Sequence, residues 1–310
     1  MSQMNIIDVD LNLLKVFEAL HDEGSASRAA VRLGVTQSAV SAALRRLREV
    51  YGDPLFARTG RGLAPTLRAN QLKPLISEAL TKCRQSLSLL DPQASDYSGR
   101  AVSLGLSDDF EIAFGRALID AVEQRAPGLR LIFRQTHTHV VAQALGDRDI
   151  DLALTAGGFN ERMLTRQVLG EGHYLSLLDP ASLAPGQARL SLEEFIERDQ
   201  VLISSGGFIG IIDEALASQG HSRQVRASTT HFAALPYLLT GSGAIATAPA
   251  HAARRIAEVT GLVALPCPLD LPRYPIEMGW RTHAQADPAH LRVREAINAC
   301  VGVGLLVGSH

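Results

Sequence analysis

The sequence predicts an α/β protein in three parts: an N-terminal winged helix-turn-helix, a long linker helix, and a two-lobed domain of alternating strands and helices. Three observations lead there. Residues 28–73 hold nine basic side chains against two acidic ones, a net +7, in a chain whose formal net charge is −2. Within that stretch, two short helical patterns are joined by a turn at Leu33-Gly34-Val35-Thr36. From Arg100 onward, short apolar runs alternate with helical periodicities, the pattern of βα units around a parallel sheet. The expected boundaries are 1–65, 66–99 and 100–310. The last part divides into lobe one, 100–171 with 274–310, and lobe two, 172–273.

The N-terminal module rests on local signals. A first helix over 11–21 places Leu13, Leu14, Phe17 and Leu20 on one face, to support the two helices that follow. Ser25 caps the second helix and Thr36 the third, because a side-chain oxygen there satisfies an orphan N–H of the first turn. Gly34 falls where a left-handed residue ends the second helix. The third helix, Gln37 to Tyr51, buries Val40, Leu44 and Leu47 and presents Gln37, Ser38, Ser41 and Arg45 on its other face. An amide pairs two-pronged with adenine and a guanidinium with guanine, so this face suits base edges in a major groove. The concentrated positive charge suits phosphates. A solvated basic face on an ordinary bundle would also carry charge, but not the capped pair of helices.

Residues 53–63 read as a wing, anchored by Leu55 and Phe56, with Arg58, Thr59, Gly60, Arg61 and Gly62 at a basic tip. Arginine there suits the enhanced negative potential of a narrow minor groove. Thr66 then caps a helix reaching about Leu90. Leu72, Ile76, Ala79, Cys83, Leu87 and Leu90 recur at spacings of 4, 3, 4, 4 and 3, close to a coiled-coil seam, which predicts a homodimer contact. Pro74 must kink this helix or lie in an irregular first turn. Residues 91–99 read as a hinge.

In the C-terminal part, strands are expected at 101–106, 129–135, 151–155, 174–178, 201–204, 223–228, 244–248, 262–265 and 276–280. Ser191-Leu192-Glu193-Glu194 is a capping-box start. The late return of the chain suggests two lobes. Ligands of open α/β sheets bind beyond the carboxyl ends of strands, so the polar residues there are the candidates. They are Ser107 and Asp108 after the first strand, Thr136, His137 and Thr138 after the second, and Ser204, Ser205, Thr230 and His231 in lobe two. Four such clusters lead toward helix N-termini, which favour an anion. Asp108 and Asp109 would repel one, but as neighbours on a strand they face opposite sides.

Several chemistries find no support. Gly105-Leu106-Ser107-Asp108-Asp109 lacks the second glycine of a nucleophile elbow, and Ser204-Ser205-Gly206-Gly207 lacks the Lys-Ser/Thr of a phosphate-binding loop. His137 and His139 alternate on one face, but no cysteine lies near to complete a metal site. No catalytic residue, metal or cofactor is expected. Cys83, Cys267 and Cys300 are odd in number and widely spaced, which points to buried thiols in a reducing cytoplasm and not to disulfides. No apolar run reaches the roughly 18 residues of a membrane span, and the N-terminus lacks signal-peptide organisation.

The N-terminal stretch resembles the DNA-binding domain of LysR-type transcriptional regulators. The resemblance is carried by Leu11 to Phe17, Ser27-Arg28-Ala29-Ala30, Leu33 to Ser41, Leu44-Arg45-Arg46-Leu47-Arg48, Asp53-Pro54-Leu55-Phe56 and Pro65-Thr66. Asp53 to Phe56 and the later Asp287-Pro288-Ala289-His290 resemble the branch of nodulation and aromatic-catabolism regulators; Leu291-Arg292-Val293 departs from that branch's usual run. The resemblance implies a ligand-responsive regulator that binds double-stranded DNA, with Ser27, Arg28, Thr36, Gln37, Ser38, Ser41, Arg45, Arg58, Arg61 and Thr66 at the interface. It also implies a periplasmic-binding-protein-like effector domain for a small anionic or aromatic molecule, homodimers through the linker helix, and homotetramers. The alternative is a constitutive DNA-binding protein with no effector, against which a large domain with polar strand ends argues.

Overall fold

A computed structural model describes residues 10–60, 62–88, 97, 100–204 and 206–306. Arg61, Ser205 and Leu90 from the expectations above lie outside these residues, as does the side chain of Leu87. The chain forms two compact units, Met1–Ser95 and Asp96–His310.

In the first unit, α1 (Asn12–Glu23), α2 (Ala26–Leu33) and α3 (Gln37–Tyr51) precede a hairpin of β1 (Phe56–Thr59) and β2 (Gly62–Pro65). The caps form as the sequence implies: Ser25 Oγ accepts from Arg28 N–H and Thr36 Oγ1 from Ala39 N–H. Gly34 ends α2 at φ +67°, a conformation that costs a residue with a Cβ. Val40, Leu44 and Leu47 are buried with Phe17, Leu20, Leu55 and Phe56 in one core.

The linker helix α4 (Leu67–Ser88) begins at Thr66, whose Oγ1 accepts from Ala69 N–H, and runs through Pro74 as one helix. Its apolar stripe corrects the expected seam. Ile76 and Leu80 are buried in the winged unit's own core, with Leu72 packed against it, whereas Leu75, Ala79 and Cys83 are exposed. The first half of α4 belongs to the winged domain because its polar side chains are also tied to α1. His21 Nε2 meets Asn70 Oδ1 at 3.0 Å, Lys73 Nζ donates to Asp22 at 2.5 Å, and Ser77 donates to Glu18 at 2.9 Å. Exposed Cys83 also corrects the expectation of three buried thiols.

The second unit holds two five-stranded sheets. The first has the order β4-β3-β5-β12-β6 and comprises β3 (Ala101–Leu106), β4 (Arg130–Gln135), β5 (Leu152–Thr155), β6 (Leu164–Gly172) and β12 (Tyr274–Arg281). The second has the order β11-β7-β10-β8-β9 and comprises β7 (Tyr174–Leu178), β8 (Gln200–Ile203), β9 (Val225–Thr229), β10 (Ile245–Pro249) and β11 (Val263–Pro266). Both are mixed, not parallel. β3, β4 and β5 run parallel while β12 is antiparallel to β5 and β6; β8, β9 and β10 run parallel while β7 is antiparallel to β10 and β11.

The chain leaves the first sheet at Gly172, passes His173, and enters the second at Tyr174; it returns between Pro266 and Tyr274. β6 has no counterpart in the expected strands, because its middle residues Arg166, Gln167 and Val168 are exposed on an edge and show no apolar run. Helix α5 (Asp108–Arg125) packs on α11 (Pro288–Leu306) beside the first sheet and on α10 (Ala250–Thr260) beside the second. It therefore spans the two lobes. The capping box at Ser191 and Glu194 forms, opening α7 (Leu192–Glu197).

Candidate functional site

On the winged unit, α3 turns Gln37, Ser38, Ser41 and Arg45 outward, and with Ala42 they line a shallow open depression. The apolar spacing of 40, 44 and 47 sets this orientation, because burying those residues leaves the opposite face in solvent. Ser27, Arg28, Thr36 and Arg58 are also exposed. Thr36 is occupied as a cap and lies 2.9 Å from Ser38 Oγ; Arg28 is held beside Glu23.

Thr66 is a support and not a free donor, since its Oγ1 donates to Asp53 Oδ1 at 2.8 Å. Asp53 Oδ1 also accepts from Leu55 N–H, and Arg48 donates to the carbonyls of Pro54 and Phe56 at 2.8 and 3.1 Å. These bonds hold Leu55 at φ +58°, a left-handed conformation costly for leucine, and fix the root of the wing to α3. Neither Arg48 nor Asp53 was singled out from sequence for this task; their partners are backbone carbonyls and a hydroxyl that only the folded turn brings near.

In the second unit, the strand ends enclose a cavity of about 320 Å³ lined by Ser107, Asp109, Phe110, His137, Thr138, Thr155, Ala156, Tyr174, Pro249 and Tyr274. Ser107, His137, Thr138 and Ala156 follow the carboxyl ends of β3, β4 and β5, Thr155 closes β5, and Pro249 closes β10. Tyr174 and Tyr274 open β7 and β12, which run antiparallel to their neighbours and so begin at this same end. The tyrosine rings lie 5.1 Å apart. A Cβ at Gly172 would stand 2.2 Å from the Tyr274 ring, so glycine there lets the ring lie across the crossover. Burial pushes both phenols above the ordinary tyrosine range, with the charge of Asp109 adding to it.

The cavity floor is a buried pair. Asp109 Oδ2 lies 2.9 Å from His251 Nε2, with side chains 7% and 4% exposed, and Asp109 Oδ1 accepts from Ser107 Oγ. The His251 ring stacks on Phe110, with centroids 4.5 Å apart. Asp109 comes from α5 and His251 from α10, so the pair joins the lobes. Asp108 makes a second bridge: its carboxylate accepts from Ala233 N–H at 3.2 Å and lies 4.0 Å from His231 Nδ1. Burial lifts the Asp108 carboxyl above its usual range against hydrogen bonds from the Ala233 and Phe232 backbone, and the Asp109 charge lifts it further.

Of the expected effector residues, Ser107, His137 and Thr138 meet at this cavity. Asp108, Thr136, Ser204, Thr230 and His231 do not line it, and Ser205 lies outside the described residues. Asp108 and Asp109 lie in the first turn of α5, not on a strand, and Asp109 is the one that turns inward. Thr136 is buried, and its hydroxyl has no hydrogen-bond partner among the described residues. Ser204 folds onto its own turn at Gly206, and Thr230 and His231 are exposed. β8 and β9 stand one and two strands beyond β10, about 5 and 10 Å further across the sheet. The expected helix N-termini are also fewer: α6 (Val141–Gly146) and α8 (Ile211–Ala217) begin several residues past their clusters. His251 and Pro249 follow an expected strand as surely as Ser107 does, so the strand-end rule applied evenly would have found them. His137 and His139 have ring centroids 5.9 Å apart, and no group of three or more His, Cys, Asp or Glu able to hold a metal occurs among the described residues.

Residues 11–70 match the family of bacterial regulatory helix-turn-helix proteins of lysR type, and residues 96–300 match the LysR substrate binding domain. The chain belongs to the LysR family. It is 34% identical over 305 residues to the HTH-type transcriptional activator NahR of Pseudomonas putida, covering 94% of this chain and 97% of that one. It is 29% identical over 300 residues to nodulation protein D 2 of a Bradyrhizobium strain, covering 95% and 87%. Among solved structures, a probable transcriptional regulator from Pseudomonas aeruginosa superposes with a TM-score of 0.72 at 29% identity, covering 94% and 97%. This LysR protein is thus a ligand-responsive, DNA-binding transcription regulator and not an enzyme. No helix among the described residues is long and apolar enough to cross a membrane.

Proposed function

We propose that this regulator reads its operator with α3 in the major groove, Gln37, Ser38, Ser41 and Arg45 facing the base edges, while Arg58 on the wing reaches the minor groove. Ser27, Arg28 and Thr36 lie toward the phosphates, and Arg61 adds a further positive charge for the DNA. The observation that carries this reading is the outward polar face of α3, free of acidic side chains from Gln37 to Arg48. Residues 1–65 act as the reader, 66–99 as linker and 100–310 as effector domain. Two copies pair through the exposed side of α4, and pairs assemble further into tetramers. A protein that reads bacterial DNA in this way works in the cytoplasm.

A small molecule held at the cavity between the two sheets sets the response. It biases the DNA-bound state only by binding one lobe arrangement more tightly than another. Footprinting on a partly palindromic operator tests the reading face. Gln37→Ala and Arg45→Ala each weaken binding by about 1–3 kcal/mol with the fold intact; unchanged affinity in both would remove the assignment. Ser107→Ala with Thr138→Ala tests the cavity: DNA binding stays while the inducer response falls. A dose-response curve that does not move would place the effector elsewhere.

A further inference from the structure

We propose that the effector is an uncharged molecule carrying a hydrogen-bond donor, one substituted ring in size, and not an anion. The proposal rests on the cavity being the effector site and goes on to name the chemistry that it accepts. The cavity of about 320 Å³ is at the small end of ligand pockets, room for a single ring with its substituents. The Phe110, Tyr174 and Tyr274 rings supply apolar walls.

The charge at its floor decides the rest. Among the described residues, Asp109 is the one carboxylate in the lining, and no lysine or arginine lines the cavity. Its oxygens are engaged by Ser107 and by His251, which is itself buried. With Asp109 ionised beside a neutral imidazole, the pair sums to −1. With the proton shared on the imidazole, it sums to zero. Neither state offers the net positive charge that a desolvated carboxylate or phosphate needs, and burying an unpaired anion beside Asp109 is strongly unfavourable. His137 is the one histidine among the lining residues, beyond the end of β4. Asp108, the residue before Asp109, brings a second carboxylate, which accepts from Ala233 N–H and lies 4.0 Å from His231 Nδ1, outside the lining.

A hydroxyl or amide N–H fits instead. Oxygen lone pairs of Asp109 remain beyond those used by Ser107 and His251, since an ionised carboxylate accepts about four hydrogen bonds. A site built to accept a donor discriminates sharply against a ligand that lacks one, because its own buried group is then left without a partner. This reading departs from the expectation of an anion drawn from the strand-end hydroxyls. Of the hydroxyls that line the cavity, Ser107 is spent on Asp109 and Thr155 on the Gly157 carbonyl at 2.6 Å.

The test is thermal denaturation of the full chain with pairs matched in size, in which an anionic carboxylate is replaced by an uncharged, N–H-donating amide: benzoate against benzamide, and 4-hydroxybenzoate against 4-hydroxybenzamide, at pH 6 and pH 8. The amide of each pair is expected to raise Tm with an apparent Kd at least about tenfold below that of its carboxylate. A carboxylate that outranks its amide at both pH values, or a panel in which no amide stabilises the protein, overturns the proposal. Asp109→Asn should narrow the gap about tenfold or reverse it; an unchanged ratio in a folded variant removes Asp109 as its cause. Should that variant fail to fold, the wild-type ratio still decides. Ala156→Leu, at an exposed lining position, separates this proposal from the one beneath it. Stabilisation that survives the filled cavity refutes the cavity as effector site. A carboxylate preference that vanishes with it refutes only the uncharged class.

Discussion

In the winged unit, the four side chains of the proposed reading face come from nine consecutive residues of one helix, Gln37 to Arg45; in the effector unit, the cavity draws on positions as far apart as Ser107 and Tyr274. The first site is a surface that one amphipathic helix presents once its apolar stripe is buried. The second is a gap that exists only where two sheets meet, bridged at Asp108 and Asp109 by residues more than a hundred positions away. Substitutions should therefore act differently: on the reading face they subtract contacts with the partner, whereas at the cavity floor they also loosen the protein itself.

Ile76→Glu gives the largest expected effect and tests where the winged unit ends. Ile76 is 4% exposed and Leu75 is 65% exposed, one position apart on α4. A charge at 76 enters the unit's core and should cost about 3–5 kcal/mol, read as loss of far-UV dichroism at lower urea. Leu75→Glu should leave stability within about 0.5 kcal/mol and weaken self-association in sedimentation. Equal stability of the two variants would mean that the core does not extend onto α4.

His251→Ala comes next, at about 3 kcal/mol, because it strips one partner from a buried carboxylate. Trp280, the chain's single tryptophan, lies in the effector unit and reports on it alone. Its fluorescence transition should move while amide hydrogen exchange in the helices of the winged unit holds. If both move together, the two units do not unfold independently.

Arg48→Ala probes the wing's root. It removes two hydrogen bonds to backbone carbonyls and should cost about 1–2 kcal/mol. Protection at the outer minor groove should fade while that of the central major groove stays. Uniform weakening across the site would make Arg48 a plain phosphate contact.

The smallest effect is a shift in acid stability. Burial raises the Asp22 carboxyl, but Lys73 and Arg32 outweigh it and hold it below the usual carboxylate range. A depressed carboxylate contributes stability above its unfolded pKa of about 4 and loses it as pH falls through its folded value. Lys73→Met leaves burial less opposed, so acid unfolding of the winged unit should move up by about half a pH unit. An unmoved midpoint would show that Arg32 alone holds Asp22.

Much of the molecule was legible because its causes are local. Ser25, Gly34 and Thr36 set helix ends through bonds to residues three or four positions away, and the limits Gln37 and Tyr51 follow from them. Strands 101–106 and 174–178 were legible for a similar reason: each is a short apolar run closed by polar residues. β6 was not, since an exposed edge strand imposes no apolar pattern. The sequence by itself determined the polar face of α3, the wing and the existence of two α/β lobes. Only the tertiary structure decided that Ile76 faces its own core, that Asp109 and not Asp108 turns inward, and that Tyr174, Tyr274 and His251 join Ser107. Periodicity reports which residues are buried, but which element covers them depends on the order of strands and the packing of helices. Those follow from contacts between residues far apart in the chain, which no local window contains.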